Sequence, residues 1–197
     1  MGARGQLTRE AILATARVRA AGFGLHGLSI GALAKALDMS KSGLYAHFAS
    51  KEALQLAVID TAAAQFTDEV VTPALKTARG EARVRAVFDG WCAWLMRQET
   101  PGCLFIAAAS ELDDQPGPVR DHVVGHQRDL IDFLERVVGT ATANGDFRAD
   151  LDLAQFAFEL HGLILAFHHD TRLLVDSNAR ERVQRGFDRL VADANAA

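Results

Sequence analysis

Cysteine is scarce in this chain, with Cys92 and Cys103 the only two among 197 residues. So few thiols exclude a disulfide framework and suit buried cysteines in a reducing compartment. Proline is scarce as well. Of the four prolines, Pro101, Pro116 and Pro118 punctuate junctions, whereas Pro73 falls inside a helical stretch that it is expected to kink or interrupt. Alternating polar and apolar segments bounded by turn residues are missing, which argues against a sheet. No window approaches the ~18 consecutive apolar residues of a membrane span, and the start MGARGQLTREAI lacks the apolar run of a signal peptide. A cytoplasmic chain with a short basic arm at its start and no membrane association is therefore expected. Glycine-rich phosphate loops, nucleophile elbows and paired-carboxylate helix motifs are missing too, so the expectation is that the chain is not an enzyme.

What is present is helical periodicity almost throughout, in a chain with 49% apolar residues, enough for a sizeable core. The pattern predicts an all-α fold of about nine helices. Thr8 is a candidate cap for a first helix running to about Ala21, and GFGLHGL breaks it. Ser29 caps a short second helix, Asp38 suits a left-handed turn, and Ser40 caps a short third helix running to about His47. Lys51 opens a longer fourth. That fourth helix is expected over 51–78, and further helices over 81–98, 103–113, 118–143, 152–170 and 178–194. Asn144-Gly145 supplies a left-handed stop, and Asp150 or Asp152 the following cap.

Charge is unevenly spread. Residues 1–51 carry seven basic side chains against Glu10 and Asp38, a net +5, which leaves −9 on the remainder of a chain whose total is −4. A basic head on an acidic body points to a polyanion met by the head alone. Within that head, the short second and third helices, joined by a tight turn, with the small and polar residues of DMSKSGLYAHFASKEAL loading the third, match a helix-turn-helix. Ser42 and Gly43 let a helix backbone lie deep in a major groove, and Lys41, Ser42 and Tyr45 project toward base edges or phosphates. Ser29 and Lys51, each at a helix start, are positioned for phosphates, and Tyr45 and His47 for backbone oxygens.

The segments REAIL, GLHGLSIGALA and MSKSGLYAHFASKEAL resemble the DNA-binding domain of the tetracycline-repressor (TetR) family of bacterial transcription regulators. The resemblance implies an N-terminal three-helix bundle with a helix-turn-helix over residues 1–50. It further implies a larger helical effector-binding and dimerisation domain over 51–197. Ser29, Lys41, Ser42, Gly43, Tyr45, His47 and Lys51 then occupy DNA-facing positions. Asp38 departs from the pattern, because the family often has glycine in the turn. The implied function is a homodimeric DNA-binding regulator, expected to be a repressor released from a palindromic operator by a small apolar or amphipathic effector. A helical-bundle enzyme or a metal or ligand carrier with a vestigial helix-turn-helix is the alternative.

The body carries the surfaces this reading needs. Leu153, Phe156, Leu160, Leu163 and Phe167 follow a packing-seam spacing, with Ala154, Phe158, His161, Leu165 and His168 beside them. Ala179, Val183, Phe187, Leu190 and Ala194 line one side of the last helix. The family resemblance puts the dimer contact on these last two helices. An aromatic segment suggests an apolar pocket for the effector, with Phe88, Trp91 and Phe105 as lining and Cys92, Ser110 and His161 as polar groups. His122 and His126 stand one helical turn apart, and His168, His169 and Asp170 are adjacent, spacings that a metal site could use. The same residues suit a solvated helix face, and no metal or other cofactor is expected.

Overall fold

The structure, a computed structural model, describes residues 3–97 and 102–195. Pro101 and the first two residues of the expected basic arm lie outside them. From Ala3 the chain is already helical: α1 spans Ala3–Phe23, so Thr8 sits within the helix and does not cap it. Gln6 Nε2 donates to Glu10 Oε1 at 3.0 Å, an i,i+4 bond that supports the additional N-terminal turn.

The next caps are as the local chemistry dictates. Ser29 precedes α2 (Ile30–Ala36) and accepts from the Ala32 N–H, and Ser40 precedes α3 (Lys41–Tyr45) and accepts from the Gly43 N–H. Between them Asp38 adopts φ +52, the left-handed conformation that aspartate tolerates better than most residues. Helix α4 (Lys51–Phe66) leads into a π turn over Thr67–Val71 and then into α5 (Thr72–Lys76). Pro73 explains the change of winding. It lacks an N–H and its ring crowds the carbonyl four residues back, and just before it the Thr72 N–H reaches the Thr67 carbonyl, five residues back.

Helices α6 (Glu81–Leu95), α7 (Leu104–Leu112), α8 (Pro118–Asn144), α9 (Leu153–Arg172) and α10 (Ala179–Ala194) complete the chain. Counting the consecutive run 51–76 as one, the described residues form nine helical segments. Their only extended pairing is an isolated bridge between Phe147 and Asn195. Gly145, at φ +81, ends α8, and the Asp152 carboxylate caps α9 by accepting from the Gln155 N–H at 3.0 Å.

The described residues divide into two compact units, 3–65 with 102–126 and 66–97 with 127–195. In the first, Ile12, Ala16, Leu25, Leu33, Leu44 and Val58 share a core with Leu104, Ala108 and Leu112. The second is built around Phe88, Phe147, Phe156, Phe167 and Phe187, all essentially inaccessible. The α10 stripe of Ala179, Val183, Phe187, Leu190 and Ala194 is entirely buried. On α9 the seam residues Phe156, Leu160 and Phe167 are buried, while Phe158 in the adjoining stripe is 70% exposed and Leu165 40%.

A candidate nucleic-acid interface and effector region

The turn between α2 and α3 is closed by the Met39 N–H donating to the Ala34 carbonyl at 2.9 Å. Leu44 and Phe48 anchor α3 to the core, and the Arg9 guanidinium lies 4.9 Å over the Phe48 ring. Those anchors decide which side of α3 faces out. Lys41, Ser42 and Tyr45 are exposed, and Gly43 and His47 are partly buried. The Ser42 hydroxyl is 3.1 Å from that of Ser40, next to the cap. A Cβ on Gly43 would lie 3.1 Å from Ser40 Oγ, so glycine here leaves the capping hydroxyl undisturbed. His47 turns its Nδ1 inward, where it makes no hydrogen bond.

Ser29 is exposed at the start of α2, with its hydroxyl engaged by the Ala32 N–H at 3.0 Å. Lys51 is exposed at the start of α4, and its Nζ donates to the His26 carbonyl at 2.9 Å. An ammonium group has three donors, so this bond leaves Lys51 able to meet an anion as well. Of the seven residues expected from the sequence, Lys41, Ser42, Gly43 and Tyr45 lie on α3, His47 just beyond it, and Ser29 and Lys51 at the starts of α2 and α4.

Two residues that hold this region together were not foreseen. Gln55, buried on α4, donates from Nε2 to the Leu25 carbonyl at 2.9 Å. From α7, Glu111 accepts the Leu25 N–H at 2.7 Å and the His26 N–H at 2.5 Å, and it pairs with His26 Nδ1 at 3.0 Å. Helix α4 therefore grips the carbonyls of the turn after α1, and α7 grips its amides. Gly24, at φ +75, is where the turn needs glycine, since a Cβ there would come within 2.7 Å of the Glu111 carboxylate.

The six expected effector residues divide between the units. Phe88, Trp91, Cys92 and His161 lie in the second, where Trp91 stacks on His161 with centroids 5.9 Å apart and planes at 20°. Phe66 meets Trp91 and Trp94 edge-on at 5.6 and 5.4 Å. Burial pushes the Cys92 thiol up to about 12, which leaves little of the reactive thiolate. Burial also lowers the His161 pKa, favouring the neutral imidazole. Phe105 and Ser110 lie in the first unit, Phe105 edge-on to His126 at 5.8 Å and Ser110 exposed. None of the six lines the open apolar groove of about 390 Å³ beside α1, which is formed by residues such as Leu7, Ile12 and Met39.

Residues 12–58 match the family model described as bacterial regulatory proteins, tetR family. Residues 80–187 match that of the tetracyclin repressor-like C-terminal domain. Similar solved structures include a TetR transcriptional regulator from Chloroflexus aurantiacus, with 24% identity, 98% of this chain and 99% of that one covered, and a TM-score of 0.87. A TetR-family regulator from Streptomyces coelicolor shares 22% identity over 95% and 96% of the two chains, with a TM-score of 0.83. AibR, solved with isovaleryl coenzyme A and operator DNA, shares 26% identity over 90% of this chain and 96% of its own, with a TM-score of 0.70. No curated protein matches the chain in sequence.

Proposed function

We infer that this chain, which belongs to the tetR family of bacterial regulatory proteins, is a homodimeric repressor released from a palindromic operator by a small apolar or amphipathic effector. The observation that carries this reading is α3 itself, capped by Ser40, anchored by Leu44 and Phe48, and presenting Lys41, Ser42 and Tyr45 outward. In it Lys41 and Ser42 read bases, while Ser29, Tyr45, His47 and Lys51 hold phosphates and Gly43 permits close approach. Residues 1–50 then act as the DNA-binding domain, with effector binding and dimerisation in 51–197.

Two recognition helices must lie about 34–36 Å apart to enter successive major grooves. An effector that prefers a different spacing needs a coupling of only about 1–3 kcal/mol to weaken operator binding about 5- to 150-fold. Trp91 stacked on His161, with Phe88 on the same helix as Trp91, suits an effector with an apolar body and a polar end. AibR, with its acyl thioester, is a precedent for such chemistry.

Titration with duplex operator at several salt concentrations tests the reading. The affinity is expected to fall with a log-log slope of about −0.9 per phosphate neutralised. Lys51→Ala should weaken all sequences alike and reduce the slope by about 2, one contact from each subunit. Lys41→Ala should instead change sequence preference. A flat salt response would favour the carrier or enzyme alternative, and exchanged phenotypes for the two lysines would reverse their roles.

Dimerisation makes a separate prediction. Phe158 and Leu165 are the exposed apolar side chains one heptad apart on α9, and a packed partner helix is the natural cover for them. Phe158→Asp is expected to yield a monomer in light-scattering chromatography with its helical circular dichroism intact. A variant that stays dimeric would remove α9 from the interface.

A further inference from the structure

The first unit contains a cluster that the regulator reading does not use. Asp60 on α4 faces His122 and His126 on α8, with Oδ1 2.6 Å from His122 Nε2 and 3.2 Å from His126 Nε2. The three ligand atoms all lie within 4.8 Å of one another. The two histidine rings are edge to face, 4.8 Å between centroids, and Phe105 closes one side against His126.

We propose that Asp60, His122 and His126 form a binding site for a first-row divalent transition metal ion, with Zn²⁺ the ion to test. Two imidazoles and one carboxylate are a donor set that selects such an ion over Mg²⁺ or Ca²⁺, which take oxygen ligands. At metal–ligand bonds of about 2.0–2.1 Å, neighbouring donors of a tetrahedral site lie about 3.3 Å apart. The Asp60–His126 spacing already meets this. The His122 contact, now a direct hydrogen bond, opens to it, and the two histidine nitrogens, within 4.8 Å of each other, close to it, by side-chain rotation. Both histidines are at i and i+4 on one helix face, so α8 fixes their mutual placement before any ion arrives.

Access and electrostatics agree with this assignment. The side chains of His122, His126 and Asp60 are 36%, 27% and 60% exposed, so an ion enters without the core opening and keeps room for water or an exogenous ligand. Burial alone would raise the Asp60 pKa, but the hydrogen bonds and charges of His122 and His126 outweigh it and hold the carboxyl below its usual range. A bound ion ties α4 to α8 within this unit, and α4 is the helix whose Lys51 and Gln55 hold the turn after α1. The site does not depend on the regulator reading, because metal uptake is measured without DNA.

The experiment uses the full chain, stripped with a chelator and desalted, titrated with ZnCl₂ by calorimetry at about pH 7.5. Co²⁺ absorption serves as an independent reporter of the ligand field. One ion per chain is expected, with a thermal midpoint that rises on Zn²⁺ addition. Asp60→Asn and His126→Gln should each weaken the affinity at least about 10-fold. His169→Gln, which alters the other histidine-carboxylate run, should leave it unchanged. Wild-type protein that takes up no Zn²⁺ and shows no thermal shift would overturn the proposal whatever the variants do. Uptake unaffected by Asp60→Asn and His126→Gln, or abolished by His169→Gln, would overturn it as well.

Discussion

Phe187→Ala is expected to destabilise the second unit by about 3–5 kcal/mol, the usual cost of truncating a fully buried phenylalanine. Phe187 is inaccessible on α10 and lies flat on Phe88 of α6, with centroids 3.9 Å apart and planes at 6°. Each ring also carries a cation: the Arg85 guanidinium is 5.7 Å from the Phe187 centroid and that of Arg180 5.3 Å from the Phe88 centroid. Those guanidiniums are held across the same two helices, Arg85 by Asp188 at 3.0 Å and Arg180 by Asp89 at 2.9 Å. Truncation removes the ring, its stacking and the aromatic face beneath Arg85, and leaves a cavity that two helices pinned by reciprocal ion pairs cannot easily close. Exposed pairs of this kind add only about 0–1 kcal/mol themselves, so the ring dominates.

Against a total stability of about 5–15 kcal/mol, such a loss should appear as a large fall in the urea midpoint with little change in slope. Phe187→Leu should recover most of it, because the apolar volume largely remains. A measured loss below about 1 kcal/mol for the alanine variant would mean that the α6–α10 contact is not a closed core.

How far the sequence reveals this molecule depends on the range of the interaction concerned. Ser29, Ser40 and Asp152 are legible as caps because the hydroxyl or carboxylate and the N–H it receives are three residues apart. Asp38 is legible as a left-handed turn for the same local reason. Pro73 is legible as an interruption, but the π turn that accommodates it is a property of the carbonyl ladder and not of any residue type. Thr8 misleads, since a good cap residue inside a helix looks the same in sequence as one at its start. In the aromatic segment, proximity along the chain joins Phe105 and Ser110 to Phe88 and Trp91, and the fold assigns the two pairs to different units. Partners distant in sequence are not legible at all. Asp60 lies 62 residues from His122, and Glu111 lies 86 from Leu25, with no periodicity to connect either pair.

Glu111→Ala tests the least legible of these contacts, and an appreciable loss of stability is expected, about 1–3 kcal/mol. The carboxylate accepts from two adjacent amides, Leu25 and His26, in the turn that follows α1. Leu25 is fully buried, so its N–H loses a charged acceptor where water does not easily replace it. His26 has a side chain 50% exposed, and its ion pair with Glu111 contributes little to the loss. The turn's carbonyls remain held by Gln55 and Lys51, so the variant should stay folded at low temperature while amide exchange at Leu25 and His26 accelerates. Because the same turn leads through Ser29 into α2, looser amides there should also weaken operator binding without altering sequence preference. Glu111→Gln, which keeps one acceptor oxygen for the Leu25 N–H, should fall between wild type and alanine on both readouts. If glutamine were as damaging as alanine, a single bond to the Leu25 N–H would not hold the turn, and the second acceptor oxygen with its charge would be what the turn needs. If alanine changed neither stability nor exchange, α7 would have no part in positioning the DNA-binding head.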